Sequence, residues 1–146
     1  MATTQFDWKK RMTGSYAIRR VRERHPYFSA DYVSYWLQYS TYVSFERKYL
    51  YYQVSKAACT SIKRLIHALE RLPPIPPYIG VLHEVRRDMF VHERSAFQLK
   101  SLLDFDDQTQ EYILTSSDFL RFTVVRNPYT RLQSAWKDKV LPCAPG

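Results

Sequence analysis

Two short segments of the chain combine cationic, hydroxyl-bearing and small residues, which are the residue types that bind phosphate or sulfate. The first runs from Ser55 to Ser61 and reads S-K-A-A-C-T-S. It precedes a predicted helix, whose unpaired N–H groups and dipole favour an anion at the N-terminus. Lys56 adds a full positive charge, and Thr60 and Ser61 carry hydroxyls that either donate to an anion or cap the helix. This segment is therefore predicted to be an anion-binding loop.

The second segment begins at Arg126, where a predicted strand ends. Asn127 and Pro128 follow as an N-cap and a first helical residue. Ser134 lies seven residues after Asn127, and at about 100° per residue this spacing returns it nearly to the same face of the helix. We therefore expect Arg126 and Ser134 to share one ligand. The other cations of this helix are expected to face solvent or a ligand: Arg131, Lys137 and Lys139.

Two apolar segments are predicted to be the strands that position these loops. Residues 49–54 read YLYYQV and residues 119–125 read FLRFTVV, and both are short and rich in aromatic or β-branched residues. A helix is predicted after each strand, over residues 60–72 and over residues 127–139. Because a long crossover separates the two strand-loop-helix units, we predict parallel strands with helices against them, an α/β layered fold. In such folds ligands bind at the carboxyl ends of the strands.

Each predicted helix carries an apolar stripe that is expected to pack against the rest of the fold. In the helix over residues 60–72 the stripe consists of Ile62, Leu65, Ile66 and Leu69, and Lys63 is expected on the exposed remainder. In the helix after Asn127 it consists of Leu132, Ala135, Trp136 and Val140. A further helix, beginning at Ser29 or Asp31, carries the aromatic residues Tyr32, Tyr35, Trp36 and Tyr39, and Tyr42 continues the same spacing.

The composition of the chain indicates which broad classes of protein it could belong to. Its 146 residues, 45% of them hydrophobic, suffice for one folded domain. The formal net charge of +8 predicts a surface that attracts anions such as nucleotides, nucleic acids or acidic glycans. Cys59 and Cys143 are the only cysteines, which supports neither a disulfide framework nor a metal site. The longest uncharged run, residues 32–45, is too short and polar to span a bilayer, so a soluble, cytoplasmic protein is expected.

Three other functional classes fit parts of this pattern. A Walker-type nucleoside triphosphatase is disfavoured because residues 55–61 contain no glycine and place the lysine before the loop residues. A cysteine phosphatase would use Cys59 as its nucleophile, but only four residues separate Cys59 from Arg64 where that loop requires five. A nucleic-acid-binding module would stack bases on the aromatic stripe of residues 32–39 and meet phosphates with the cations of residues 1–24.

The two anion-binding segments also resemble the motifs of a known family. Residues 56–64, KAACTSIKR, resemble the 5′-phosphosulfate loop of membrane-type carbohydrate sulfotransferases. Residues 126–135, RNPYTRLQSA, are similar to the 3′-phosphate motif of the same family. The resemblance implies a P-loop NTPase-like α/β fold. It further implies transfer of a sulfuryl group from 3′-phosphoadenosine-5′-phosphosulfate (PAPS) to a hydroxyl or amine, expected on a carbohydrate, with release of 3′,5′-ADP and without a metal or nucleic-acid partner.

The resemblance also implies a role for each matching residue. The 5′-phosphosulfate would be bound by Lys56, Ala57, Ala58, Cys59, Thr60 and Ser61. The 3′-phosphate would be bound by Arg126 and Ser134, and Lys56 would stabilise the charge on the departing phosphate oxygen. A base must take the proton of the acceptor, and the candidates are His83, Glu84, His92 and Glu93. We favour His92, because residues 91–95, VHERS, are similar to a histidine-bearing segment of related bacterial sequences.

This interpretation makes residues 1–146 a single sulfotransferase domain with four parts. They are a basic N-terminal arm (1–28), a 5′-phosphosulfate-binding strand-loop-helix (48–72), a connector with the acceptor region (73–118) and a 3′-phosphate-binding strand-helix (119–140). The chain ends seven residues after Lys139, where these domains usually continue, so a C-terminally short domain is expected. No segment matches the membrane anchor of the eukaryotic Golgi relatives, and a bacterial-type protein is expected.

Overall fold

The computed structural model describes residues 14–72 and 99–141. These residues form helices and strands in the following order, where the 3₁₀ turn is left without a number: α1 (Tyr16–Arg24), α2 (Ala30–Ser40), β1 (Thr41–Ser44), β2 (Tyr49–Tyr52), α3 (Cys59–Leu69), a 3₁₀ turn (Leu102–Asp104), α4 (Asp107–Thr115), β3 (Leu120–Thr123) and α5 (Pro128–Lys139). The prediction that helices and strands both occur is confirmed. Both strands predicted from the sequence are present, each shorter than expected.

The three strands form one sheet in the order β1-β2-β3. β1 and β2 are a hairpin whose strands run antiparallel, with Thr41 opposite Tyr52 and Ser44 opposite Tyr49. β1 was not predicted from the sequence, and its antiparallel pairing with β2 shows that the sheet is not parallel throughout. The parallel relation of β2 and β3 and the P-loop-like fold stay predictions.

The described residues belong to two compact units, of which the first consists of residues 14–52 and 99–122. Its core is formed by Ala17, Val43, Leu50, Leu102, Ile113 and Phe119. The buried side chain of Gln110 crosses this core, because its Oε1 accepts from the backbone N–H of Ala17 at 3.0 Å and its Nε2 donates to the carbonyl of Phe105 at 2.7 Å. Both ends of the amide are thereby satisfied, as a buried polar group requires.

Two segments of the first unit differ from the sequence-based expectation. The segment predicted as a basic arm contains α1, which Ser15 caps and which buries Ala17 and Ile18. In α2 the aromatic stripe was expected to be covered, yet Tyr32, Tyr35 and Trp36 are exposed. Their rings contact one another instead, with Tyr32 and Trp36 6.2 Å apart and Tyr35 and Tyr39 6.1 Å apart between ring centroids.

The second unit, residues 53–72 and 123–141 among those described, contains α3 and α5. In α3 the buried face includes Lys63, which is 0% exposed, and Ile66, whereas Leu65 and Leu69 are exposed. The expectation that Lys63 faces solvent is therefore wrong. A lysine at this depth needs an interaction partner to offset its lost hydration, and Lys63 does make such an interaction.

The apolar stripe of α5 is exposed in the structure, contrary to the sequence-based expectation. Leu132 is 70% exposed and Trp136 is 53% exposed, and no residue of the helix is buried. Apolar periodicity shows only which residues of a helix share a face, and it does not show that another element covers that face. The polar side of the same helix holds the candidate site.

Candidate active site

The loop between β2 and α3 turns through two residues with left-handed backbone conformations. Lys56 has φ 62° and Ala58 has φ 59°, a region that costs residues with a Cβ atom about 1–2 kcal/mol. Between them Ala57 is buried, and its N–H donates to the carbonyl of Val54 at 3.3 Å. Strained backbone of this kind persists where the surrounding structure fixes it, which is common at binding sites.

The N-terminus of α3 is left without a capping side chain. Its N-cap residue is Ala58, and no acidic residue occupies the first turn. The other α-helices in the described part of the chain are capped by Ser15, Ser29, Asp106 and Asn127. Thr60 and Ser61 lie inside the helix and not at its N-cap position, and Ala58 has no side chain that could accept from the first N–H groups.

The start of α5 fixes the position of Arg126. The Oδ1 atom of Asn127 caps the helix by accepting from the N–H groups of Tyr129 and Thr130 at 3.0 and 3.5 Å. The hydroxyl of Thr130 donates to the carbonyl of Asn127 at 3.1 Å and accepts from Nε of Arg126, also at 3.1 Å. The guanidinium of Arg126 is therefore held beside the first turn by its Nε.

The two predicted anion-binding segments line one cleft. It has a volume of about 320 Å³ and is lined by Lys56, Arg126, Thr130, Gln133, Ser134, Lys137 and Asp138. Lys56 comes from the first segment, and the others come from the second segment or from the helix that continues it. Three cations against one carboxylate give the lining a net charge of +2. A concave surface of this charge concentrates anions.

Two contacts fasten the loop to α5. The ammonium of Lys56 lies 2.6 Å from a carboxylate oxygen of Asp138, and Nε of Arg131 donates to the backbone carbonyl of Ser55 at 3.0 Å. Arg131 and Asp138 are seven residues apart and so lie on nearly the same face of the helix. The face of α5 with Arg131 and Asp138 therefore lies along the loop. Asp138 also reaches the cleft, which the neighbouring polar residues of α5 line.

The sequence profile of the sulfotransferase family matches residues 39–144, which are 106 of the 146 residues. The matched range includes both anion-binding segments and the cleft between loop and helix. The chain belongs to the sulfotransferase family. Searches of the curated proteins and of the solved structures gave no match.

The match confirms the sulfotransferase family that the two motifs resemble. The structure shows where the predicted site residues of this sulfotransferase domain lie. Lys56, Arg126 and Ser134 line the same cleft, as the spacing predicted for the last two. Ala57, Ala58, Cys59, Thr60 and Ser61 are not among its lining residues. They form the end of the loop, where Ala57 is buried, and the N-terminus of α3. His92 and the alternative bases His83, Glu84 and Glu93 lie outside the described residues.

Four lining residues of this sulfotransferase cleft were not predicted as site residues: Thr130, Gln133, Lys137 and Asp138. A signal for Thr130 and Lys137 was present in the sequence, since Thr130 lies four residues before Ser134 and Lys137 three residues after it, which places each about one turn away on the same face. Asp138 gave no such signal, because its pairing with Lys56 depends on how α5 lies along the loop. Pairings of this kind follow from tertiary packing and not from spacing.

No group of His, Cys, Asp or Glu side chains within residues 14–72 and 99–141 is arranged to hold a metal ion. No helix in the part of the chain that the structure describes combines the length and the apolarity needed to cross a bilayer.

Proposed function

We propose that this sulfotransferase-family chain binds PAPS and transfers its sulfuryl group to an acceptor hydroxyl, with release of 3′,5′-ADP. The observation that carries the proposal is that Lys56, Arg126 and Ser134 line one cleft, although Lys56 and Arg126 are 70 residues apart in sequence. Membership of the sulfotransferase family supports sulfuryl transfer in general. The acceptor is proposed to be a carbohydrate, on the resemblance to carbohydrate sulfotransferases.

The residues of the cleft fit a ligand with two anionic ends. Lys56, Arg126 and Lys137 carry positive charge, and the hydroxyls of Thr130 and Ser134 add neutral hydrogen-bonding groups. A volume of about 320 Å³ is at the lower end of the range of small-molecule pockets, roughly 300–1,000 Å³. It accommodates the phosphate-bearing part of a nucleotide better than the whole of it.

Each end of the ligand has a different set of binding residues in this proposal. Lys56 and the N-terminus of α3 bind the 5′-phosphosulfate in this proposal, because the ammonium carries a full positive charge and the helix end a partial one. Arg126 and Ser134 bind the 3′-phosphate, where the guanidinium offers paired N–H donors and the hydroxyl a single one. Thr130 orients Arg126 by accepting from its Nε, which leaves the terminal nitrogens for the phosphate.

The chemistry follows from the charges that develop during transfer. Bound PAPS supplies the sulfuryl group and a phosphate leaving group, whose oxygen gains negative charge as its bond to sulfur breaks. Lys56 stabilises that charge from a position set by the loop before the reaction, so little reorganisation is needed. The acceptor oxygen loses its proton as it forms the new bond to sulfur, and His92 is proposed as the base that takes the proton.

The test is calorimetric titration of the chain with 3′,5′-ADP and with AMP, which lacks the second phosphate. We expect 3′,5′-ADP to bind more tightly, because only it engages Arg126 and Ser134. The Arg126→Ala variant should lose about 10- to 100-fold in affinity for 3′,5′-ADP, the range for a hydrogen bond to a charged group, and almost none for AMP. The Lys56→Ala variant should lose affinity for both nucleotides.

A matched control is Arg20→Ala, which removes an exposed cation of α1 that pairs with Glu23. Its affinities should equal those of the wild type. Equal affinity of the wild type for 3′,5′-ADP and AMP would show that the cleft does not bind a 3′-phosphate, and the proposal would be wrong.

A second candidate function is supported by the exposed aromatic face of α2. Tyr32, Tyr35 and Trp36 of this helix are exposed. The half-buried ring of Phe28, just before the helix, stacks on Tyr32 at 5.0 Å between centroids, and Arg22 donates to the carbonyl of Phe28 at 3.3 Å. Exposed rings beside a cation are typical of single-stranded nucleic-acid binding. Salt-dependent oligonucleotide binding that is lost in Trp36→Ala and retained in Lys56→Ala would establish this function, and absence of such binding would exclude it.

A further inference from the structure

Asp138 is the single carboxylate in the lining of a cleft whose other charged residues are cations. Its Oδ2 atom lies 2.6 Å from Nζ of Lys56 and 3.6 Å from Nζ of Lys139. The side chains of Lys56 and Asp138 are only 27% and 26% exposed, so solvent screens their attraction less than that of a fully exposed pair. One carboxylate oxygen of Asp138 therefore lies close to the ammonium groups of two lysines.

We infer that Asp138 is an internal anion that pairs with Lys56 until an anionic ligand displaces it. The inference rests on the proposed function, because it treats Lys56 as the residue that binds the 5′-phosphosulfate. A phosphate or sulfate oxygen and the Asp138 carboxylate compete for the same ammonium. Asp138 therefore lowers the affinity of the cleft for every anion that binds Lys56.

The opposite role, in which Asp138 holds Lys56 in its binding position, is disfavoured by the other restraints on the loop. The backbone of Lys56 is fixed in a left-handed conformation with φ 62°. The preceding residue, Ser55, is fastened to α5 by the bond from Arg131, and the following residue, Ala57, is buried. The backbone of the loop thus has restraints that do not involve Asp138, and the effect of the carboxylate on anion binding is competition for the Lys56 ammonium.

The inference is tested by calorimetric titration of the full chain and its Asp138→Asn variant with 3′,5′-ADP and with inorganic pyrophosphate. Asparagine keeps the size of aspartate and removes its charge. We expect the variant to bind both ligands about two- to fivefold more tightly, as expected for removing one weakly screened ion pair. Asp138→Ala is a second variant with the same expected direction. The charge-matched control is Glu23→Gln, which disrupts a 2.6 Å pair with Arg20 in α1 and should leave both affinities unchanged.

A double-mutant cycle separates competition at Lys56 from a general effect of charge. If Asp138 acts through Lys56, the gain from Asp138→Asn disappears when Lys56 is also changed to alanine. A gain that persists in the Lys56→Ala background overturns the inference, and so does unchanged or weaker binding by Asp138→Asn. Failure of the proposed function has a different signature, namely equal binding of 3′,5′-ADP and AMP by the wild type. The pyrophosphate titration still decides the role of Asp138 in that case.

Discussion

Arg131, on α5, donates a hydrogen bond of 3.0 Å from its Nε to the backbone carbonyl of Ser55, 76 residues earlier in the chain. Ser55 begins the loop whose next residue, Lys56, contacts the cleft. In the proposed function, one helix therefore carries Ser134, follows shortly after Arg126 and fastens the loop assigned to the 5′-phosphosulfate. Two motifs that are distant in sequence become a single site through this helix.

Removal of the Arg131 bond should weaken binding at the 5′ end of the ligand. In Arg131→Ala the carbonyl of Ser55 loses its donor, so the loop gains freedom that binding must then restrict. We expect the dissociation constants for 3′,5′-ADP and AMP to rise together, by about three- to tenfold. Calorimetry measures both, and their ratio should equal that of the wild type. A changed ratio would mean that Arg131 itself binds the 3′-phosphate.

Thr130 is predicted to control discrimination between the two nucleotides. In Thr130→Val the acceptor for Nε of Arg126 is lost, while the shape of the side chain is kept. We expect affinity for 3′,5′-ADP to fall about three- to tenfold, with little change for AMP, because Arg126 is assigned to the 3′-phosphate. Thr130→Ser keeps the hydroxyl and should behave as the wild type. Equal losses for the two nucleotides in Thr130→Val would contradict this role.

The left-handed conformation of Ala58 predicts an unusual effect of glycine. Ala58 has φ 59°, and glycine relieves a cost of about 1–2 kcal/mol there while adding an entropic cost of roughly 0.5–1 kcal/mol. Ala58→Gly should therefore stabilise the protein by about 0.5–1 kcal/mol, measured by denaturant unfolding. The neighbouring Ala57 is buried and is not among the described residues with positive φ, so Ala57→Gly should destabilise it. Destabilisation by both changes would show that the turn does not strain Ala58.

The local parts of the site could be predicted because each depends on a short stretch of sequence. The apolar run before Ser55 and the Asn127-Pro128 pair determine where a strand ends and where a helix starts, and the structure has both features there. The helical repeat likewise placed Ser134 in the same cleft as Arg126. Local hydrogen bonding and steric restriction produce these features, so they are recognisable without knowledge of the tertiary structure.

The other parts of the fold depend on which surfaces meet, which a repeat in the sequence does not state. Lys63 is buried in α3 and Leu65 is exposed, although the apolar stripe of that helix contains Leu65 and not Lys63. Leu132 is exposed on α5, although it belongs to the apolar stripe of that helix. The pair between Lys56 and Asp138 has the same origin, since it requires α5 to lie along the loop. Charge and periodicity indicate which residues could form the core or the site, but tertiary packing determines which of them do.

The Asp106 carboxylate makes the folding stability of the protein depend on pH in the acidic range. The carboxylate caps α4 by accepting from the N–H of Thr109 at 2.9 Å and from its hydroxyl at 2.9 Å. These two hydrogen bonds, of which the one from the backbone N–H has the larger effect, lower the pKa of Asp106 below its ordinary value of 3.8. A lowered folded-state pKa means that the unfolded chain takes up the proton first as the pH falls. The stabilisation by Asp106 is thus fully present above pH 3.8 and is lost as the pH falls through the lower, folded-state value.

Thermal unfolding of Asp106→Ala and Asp106→Asn tests this dependence. At neutral pH the alanine variant should melt at a lower temperature than the wild type because α4 has lost its cap. That difference should shrink as the pH falls below 3.8, where protonation removes the advantage of the wild-type carboxylate. Asparagine caps a helix about as well as aspartate without titrating, so Asp106→Asn should show a smaller change across the same pH range than the wild type. A difference between alanine variant and wild type that stays constant with pH would show that the charge of Asp106 does not contribute to the cap.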